Sequence, residues 1–192
     1  HVPIRDLEDH ELETLSRDGH LFLDLHEMQA IRHEYQQLGR EPRGIVAIGH
    51  ETAAGVPTVL QMRSLVADQP FPTLYWLCSR DLYQALAEIE TSGWVKKIEA
   101  EIAEDEELRA RYLQNHKDYV ALRWEKMLAE DKARIEELGF TELFHKYGIG
   151  GIAQWDKVRC LHMQYAHHLC GENVIGQRLD SEFGLDQLTI KA

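Results

Sequence analysis

W-D-K-V-R-C-L-H-M-Q-Y-A-H-H-L-C-G-E-N-V-I-G, Trp155 to Gly176, is the stretch on which the reading of the fold turns. Asp156 has the chemistry of a helix cap, a carboxylate that accepts from a free first-turn N–H. Gly171 is a natural stop, since glycine takes the left-handed conformation without strain. The spacing predicts a helix between them. At about 100° per residue, Val158, Leu161, Tyr165 and Leu169 form one apolar stripe, with His162 and Ala166 on its shoulder. Cys160, Met163, His167 and Cys170 form a second stripe on the opposite side, bordered by Arg159. Only Lys157, Gln164 and His168 share a polar sector. A helix apolar on two sides is buried on two sides. The expectation is a central helix with His162 and His167 interior and His168 facing water.

Upstream, the period changes. R-G-I-V-A-I-G-H, Arg43 to His50, is short, β-branched and apolar on both faces, which predicts a buried strand. E-T-A-A-G makes a turn and Val56 to Met62 a second strand, so 44–62 reads as a hairpin. A proline-rich connection, Asp68 to Pro72, leads to a third strand, Thr73 to Cys78. Ser79 then caps a helix through Glu90, closed by Gly93. A short acidic helix follows, Trp94 to Ala103, and Asp105 caps a long one to about Leu128 or beyond. On that wheel Leu113, Val120, Trp124 and Met127 make an apolar stripe, and Tyr112, His116, Tyr119 and Arg123 line up beside it. The glycine-rich segment 146–151 reads as a joint, and the tail after Gly176 as an acidic surface segment. Two further helices, 5–17 and 24–38, read as an N-terminal arm over 1–40. The fold class is α+β. Residues 41–192 form one domain, a small three-stranded antiparallel sheet packed with several helices around the central C-terminal helix.

Composition narrows the function. The chain has 192 residues, 44% hydrophobic, enough for one good core, and a formal net charge of −12. An acidic surface repels nucleic acid and anionic lipid, and no basic run exceeds the pair Lys96–Lys97. No apolar run approaches the roughly 20 residues of a membrane span. The expectation is therefore no nucleic-acid and no membrane partner. Three cysteines, not spaced as a disulfide framework, point to the reducing cytoplasm.

Several of these segments resemble a known family. D-K-V-R-C-L-H-M-Q-Y-A-H, Asp156 to His167, is similar to that family's D-R-V-K-C-L-H-x-L-x-A-H. G-E-N-V-I-G, 171–176, is similar to G-x-N-P-x-G, and P-F-P-T-L-Y-W-L, 70–77, to P-F-P-T-x-Y-Y-L. N-H-K-D-Y-V-A-L-R, Asn115 to Arg123, is similar to A-H-x-x-Y-x-x-x-R. The chain thus resembles bacterial domain-of-unknown-function family 501 over roughly Arg43 to Gly176. The resemblance implies no defined activity. Its genes often neighbour those for a septum protein, enolase and an exopolyphosphatase, a pointer to phosphate chemistry or division. The chain departs from it in two places. H-E-T-A-A-G keeps His50 but lacks the cysteines of H-R-C-P-C-G, and L-C-S-R puts Cys78 one residue before the cysteine of L-T-C-P. A zinc site built on those cysteines is lost or rebuilt here.

The candidate chemistry rests on His, Arg and Tyr. Arg43, His50, Tyr112, His116, Tyr119, Arg123, Arg159, His162 and His167 come from one strand and two helices. Converging, they make a polar pocket that binds or hydrolyses a small phosphate- or carboxylate-bearing ligand. His116, His162 and His167 are its candidate acid–base groups. Arg43, His50, Tyr119, Arg123, Arg159 and Asn173 are its candidate ligand-binding residues, since guanidinium forks suit carboxylate and phosphate. The alternative is a hydrogen-bond network satisfied within the protein. A cofactor is not defined by these motifs. No metal set is assigned. If an ion is held, the residues are His167, Cys170 and Cys160, of which only His167 and Cys170 have chelating spacing. A Cys160 nucleophile with His162 or His116 opposite, and a non-catalytic module docking through acidic helices, complete the alternatives.

Overall fold

The computed structural model describes residues 44–191 and two isolated positions, His26 and Gln29. The expected arm over 1–40, those two positions apart, and Arg43 lie outside the described residues.

The fold is α+β. Strands β1 (Ile45–Glu51) and β2 (Pro57–Met62) pair antiparallel, and β5 (Tyr75–Leu77) pairs antiparallel with β2, giving the order β1-β2-β5. The expected hairpin and third strand are all present. The proline-rich connection also carries a two-strand ribbon, β3 (Leu65–Val66) with β4 (Gln69–Pro70). Its turn needs positive φ at Ala67 (49°) and Asp68 (60°), the backbone of a tight hairpin.

Helix α1 (Arg80–Thr91) is capped by Ser79, whose hydroxyl accepts from Leu82 N–H. After α2 (Trp94–Glu104), Asp105 caps α3 (Glu106–Lys126) through Leu108 N–H at 3.0 Å. Short helices α4 (Ala129–Leu138) and α5 (Thr141–Lys146) follow, then α6 (Leu161–Cys170) and α7 (Val174–Phe183). Helix α6 is the central element: it packs on β5, α1 and α7, and Leu161, Tyr165 and Ala166 are at most 1% exposed.

Three expectations are corrected. First, α6 starts at Leu161, not after Asp156. Carboxylates from the preceding helices take the backbone donors that a longer helix would use. Glu99 accepts from Val158 N–H (2.8 Å) and Glu90 from Leu161 N–H (2.8 Å). Tyr112 Oη donates to Lys157 C=O, and Asp156 stays exposed. Cys160 then stands just outside the helix at φ 54°, rather than in a stripe with His167. Second, Gly171 ends α6 in extended backbone, φ −175°, not in the left-handed region. Third, the expectation of a surface tail holds only in part: residues 177–191 are mostly exposed, but helix α7 and the following turn bury Leu179 and Leu185 and so anchor the tail. A Cβ on Gly176 would lie 2.1 Å from the His168 ring, so only glycine permits this approach of α7 to α6.

Candidate functional site

The polar residues singled out in the sequence fall into two groups with opposite chemistry. The first is a buried layer between α3, α6 and α7. Asn173 organises it. Its Oδ1 caps α7 through Gly176 N–H (2.9 Å), and its Nδ2 donates to Gln164 Oε1 (2.9 Å) and His167 Nδ1 (3.1 Å). Gln164 Nε2 donates to Tyr112 Oη, which donates to Lys157 C=O. Asn115 Oδ1 accepts from Val174 N–H at 2.8 Å. Tyr119 meets His167 edge-on, its centroid 5.4 Å away, and its hydroxyl accepts from Leu74 N–H. His116 Nδ1 accepts from Ile149 N–H at 3.1 Å while its ring stacks on Trp155. Its Nε2 is buried with no hydrogen-bond partner among the described residues.

Arg123 belongs to this layer and is 0% exposed. Its guanidinium donates to Pro72 C=O (2.6 Å), Tyr147 C=O (2.7 Å) and Phe144 C=O. It ties the β4–β5 connection to the α5 end and its following loop. Its forks therefore hold backbone carbonyls instead of an anion. Burial pushes His116 down to about 4, with His167 adding to the effect. Burial also pushes His167 down to about 4, against the pull of Asp118. Both rings are neutral at neutral pH. The layer is chiefly a satisfied network joining three helices.

The second group lies at the N-terminus of α6, facing α1. His162 Nε2 is 3.2 Å from Tyr83 C=O and donates to it. That leaves Nδ1, which is 3.1 Å from Glu90 Oε1 and 3.9 Å from Cys160 Sγ. These nitrogen, oxygen and sulfur atoms all lie within 4.8 Å of one another, the one such cluster among the described residues. His162 is 8% exposed, and Tyr83 packs on its ring with centroids 4.2 Å apart. Burial works against the charged ring, but its bonds to Cys160 and Glu90 outweigh that and hold it up at about 9. In turn the His162 bond holds Glu90 below the ordinary carboxylate range. Cys160 is a non-glycine residue in left-handed backbone, a conformation that tends to mark functional positions.

The expectation of one enclosed spot shared by all three histidines is thus corrected. The structure gathers His116, His167, Tyr119, Arg123 and Asn173, and it sets His162 apart against α1. Arg159 is exposed and pairs with no described residue. His50 stands on β1, its Nδ1 2.7 Å from Thr58 Oγ1, in neither group. His168, expected in water, meets Asp180 at 2.7 Å and ties α6 to α7. The set His167, Cys170 and Cys160 does not form a metal site. His167 turns its Nδ1 to Asn173, and Cys170 Sγ lies against Gly49 of β1, with its thiol pushed up to about 12 by burial. Sequence reading missed Glu90. It stands far from Cys160 in the chain, and no local pattern distinguishes it from other helix-end glutamates.

Residues 48–181 match the family described as Protein of unknown function (DUF501). The chain belongs to that family. No curated protein and no solved structure matches it. Among the described residues, no helix of this family member is long and apolar enough to cross a membrane.

Proposed function

We propose that this DUF501 protein binds a zinc-class divalent ion through Glu90, Cys160 and His162, leaving a fourth position open to water or a small anion. The convergence of one N, one O and one S donor carries the reading. Tetrahedral zinc, with bonds of about 2.0 Å to N or O and 2.3 Å to S, separates such donors by about 3.3–3.5 Å. The N-to-O distance of 3.1 Å already matches, the N-to-S distance of 3.9 Å is longer, and all three donors lie within 4.8 Å of one another, so they would draw together around an ion. The Tyr83 carbonyl supports it, because a ligating imidazole donates its other N–H to just such a group. Thiolate and imidazole favour zinc or cobalt over magnesium or calcium. Three protein ligands and an open position are the pattern of a site that takes a further ligand. The small phosphate- or carboxylate-bearing molecule expected from the sequence becomes the candidate occupant of that position, with exposed Arg159 next to Cys160 in the chain.

Cobalt(II) titration tests this. The wild-type protein takes up one equivalent with tetrahedral d–d bands and a thiolate-to-cobalt charge-transfer band. Cys160→Ser loses the charge-transfer band, and His162→Gln loses tight binding. Added phosphate or acetate shifts the d–d bands if the fourth position is open. A second reading is favoured by the left-handed, half-buried Cys160 beside an imidazole: a nucleophilic thiol. Rapid labelling of metal-free Cys160 by iodoacetamide, abolished in His162→Gln, combined with no cobalt uptake, would select that reading.

A further inference from the structure

A cleft of about 370 Å³ opens beside β1, lined by His50, Thr58, Tyr165, Leu169, Asp186 and Ile190 among others. Its lining shares no residue with the Glu90–Cys160–His162 cluster. The volume is in the range of small-molecule sites. The walls are chiefly aliphatic, and the polar side chains can be accounted for one by one.

The Tyr165 hydroxyl donates to Asp180 at 2.7 Å. Thr58 has a single hydroxyl hydrogen, and the His50 carbonyl accepts it at 3.1 Å. The 2.7 Å contact between Thr58 Oγ1 and His50 Nδ1 is satisfied together with that bond when the ring donates. A neutral His50 that donates from Nδ1 has a bare lone pair on Nε2, and no described residue takes it. Asp186 adds an exposed carboxylate, partnered among the described residues only by the neighbouring Gln187 amide. Thr52 Oγ1 accepts from Val56 N–H and keeps one hydroxyl hydrogen. The open capacity of the side chains is therefore mostly acceptor capacity. Among the described residues no lysine or arginine lines the cleft, and the chain carries a net charge of −12. An anion finds no counter-charge among them. A cation does.

We propose that this cleft binds a small protonated amine on an aliphatic body, its ammonium taken by His50 Nε2 and the Asp186 carboxylate and its chain by Leu169 and Ile190. This corrects the sequence expectation that His50 serves an anionic ligand. It does not depend on the metal reading.

The test is an NMR titration of the full chain with hexylammonium, hexanol and hexanoate, the three sharing one chain length. Hexylammonium shifts the resonances of His50, Leu169 and Ile190 and binds tighter than hexanol, whereas hexanoate leaves them in place. His50→Phe weakens hexylammonium binding about tenfold, the usual loss for a bond to a charged group. Asp186→Asn weakens it about threefold, as for an exposed ion pair. Glu90→Gln leaves it unchanged, which keeps this result separate from that of the metal centre. Equal binding of hexanoate, no shift with hexylammonium, or an unchanged dissociation constant in Asp186→Asn overturns the proposal. The last of these decides the matter even where His50→Phe fails to fold.

Discussion

His162 and His167 share one helix, and their surroundings drive them in opposite directions. Burial takes His167 down to about 4, while bonds to Cys160 and Glu90 outweigh burial and hold His162 up at about 9. His167 faces a layer in which Asn173, Gln164 and Tyr112 answer one another and end on a backbone carbonyl. His162 faces a carboxylate and a thiol, both of which offer lone pairs to the same point. The lesson is that polar burial alone does not mark a site. A group whose donors and acceptors match is holding helices together. A group whose lone pairs converge without enough protons between them is arranged to receive a cation, either a proton or a metal ion.

If the layer is structural, damage to it reads out as stability. The largest effect is expected for Arg123→Met. Three carbonyls lose a charged donor at once, at a cost of about 3–5 kcal/mol in urea unfolding. Asn173→Ala comes next, at about 2 kcal/mol, because it removes the α7 cap and two buried bonds together. A variant at either position that unfolds like wild type would break the contrast between the two regions.

The titration behaviour sharpens the same contrast. His116 and His167 have folded-state values below the ordinary histidine value of 6.5. The unfolded chain binds protons more readily, so their contribution is complete above about pH 6.5 and is lost as pH falls through about 4. Each is worth on the order of 2–3 kcal/mol. His162 lies above 6.5, so its contribution is complete below that pH and is lost as pH rises through about 9. The melting temperature of metal-free protein is therefore expected to crest near pH 6.5. His162→Gln should flatten the alkaline limb, and His167→Gln should shallow the acid limb, to which His116 still contributes, while leaving the alkaline limb. The smallest effect on stability is that of Glu90→Gln at neutral pH, about 1 kcal/mol from the pair with His162, in which the glutamate side chain is one-third exposed. That substitution should nonetheless weaken zinc binding markedly, a separation that differential scanning calorimetry with and without zinc would measure.

Much of the fold was legible in the sequence. The change of period at Arg43, the turn at E-T-A-A-G and the caps at Ser79 and Asp105 all announce themselves locally, and the sheet and helices stand where those signals put them. The start of α6 was not legible. Asp156 is a good cap in isolation, but Glu90 and Glu99 reach across from other helices and take the donors at Leu161 and Val158. The same long-range reach hid the candidate centre. Cys160 and His162 are two residues apart and drew notice as such, whereas Glu90 joins them only through the packing of α1 on α6. The wheel of α3 also misled in part. The stripe of Tyr112, His116, Tyr119 and Arg123 is buried throughout, whereas of the apolar stripe Val120 and Met127 are buried and Leu113 and Trp124 only half-buried. Partners for most of its polar atoms, His116 Nε2 and Arg123 Nε excepted, let the polar stripe be buried, and a helical wheel carries no information about partners.

The most direct test of the metal centre is X-ray absorption at the zinc edge on protein loaded with one equivalent of zinc. The account predicts a single sulfur at about 2.3 Å and a shell of nitrogen and oxygen at about 2.0 Å, with the sulfur lost in Cys160→Ser. A spectrum fitted by nitrogen and oxygen alone, or one unchanged in Cys160→Ser, would contradict it.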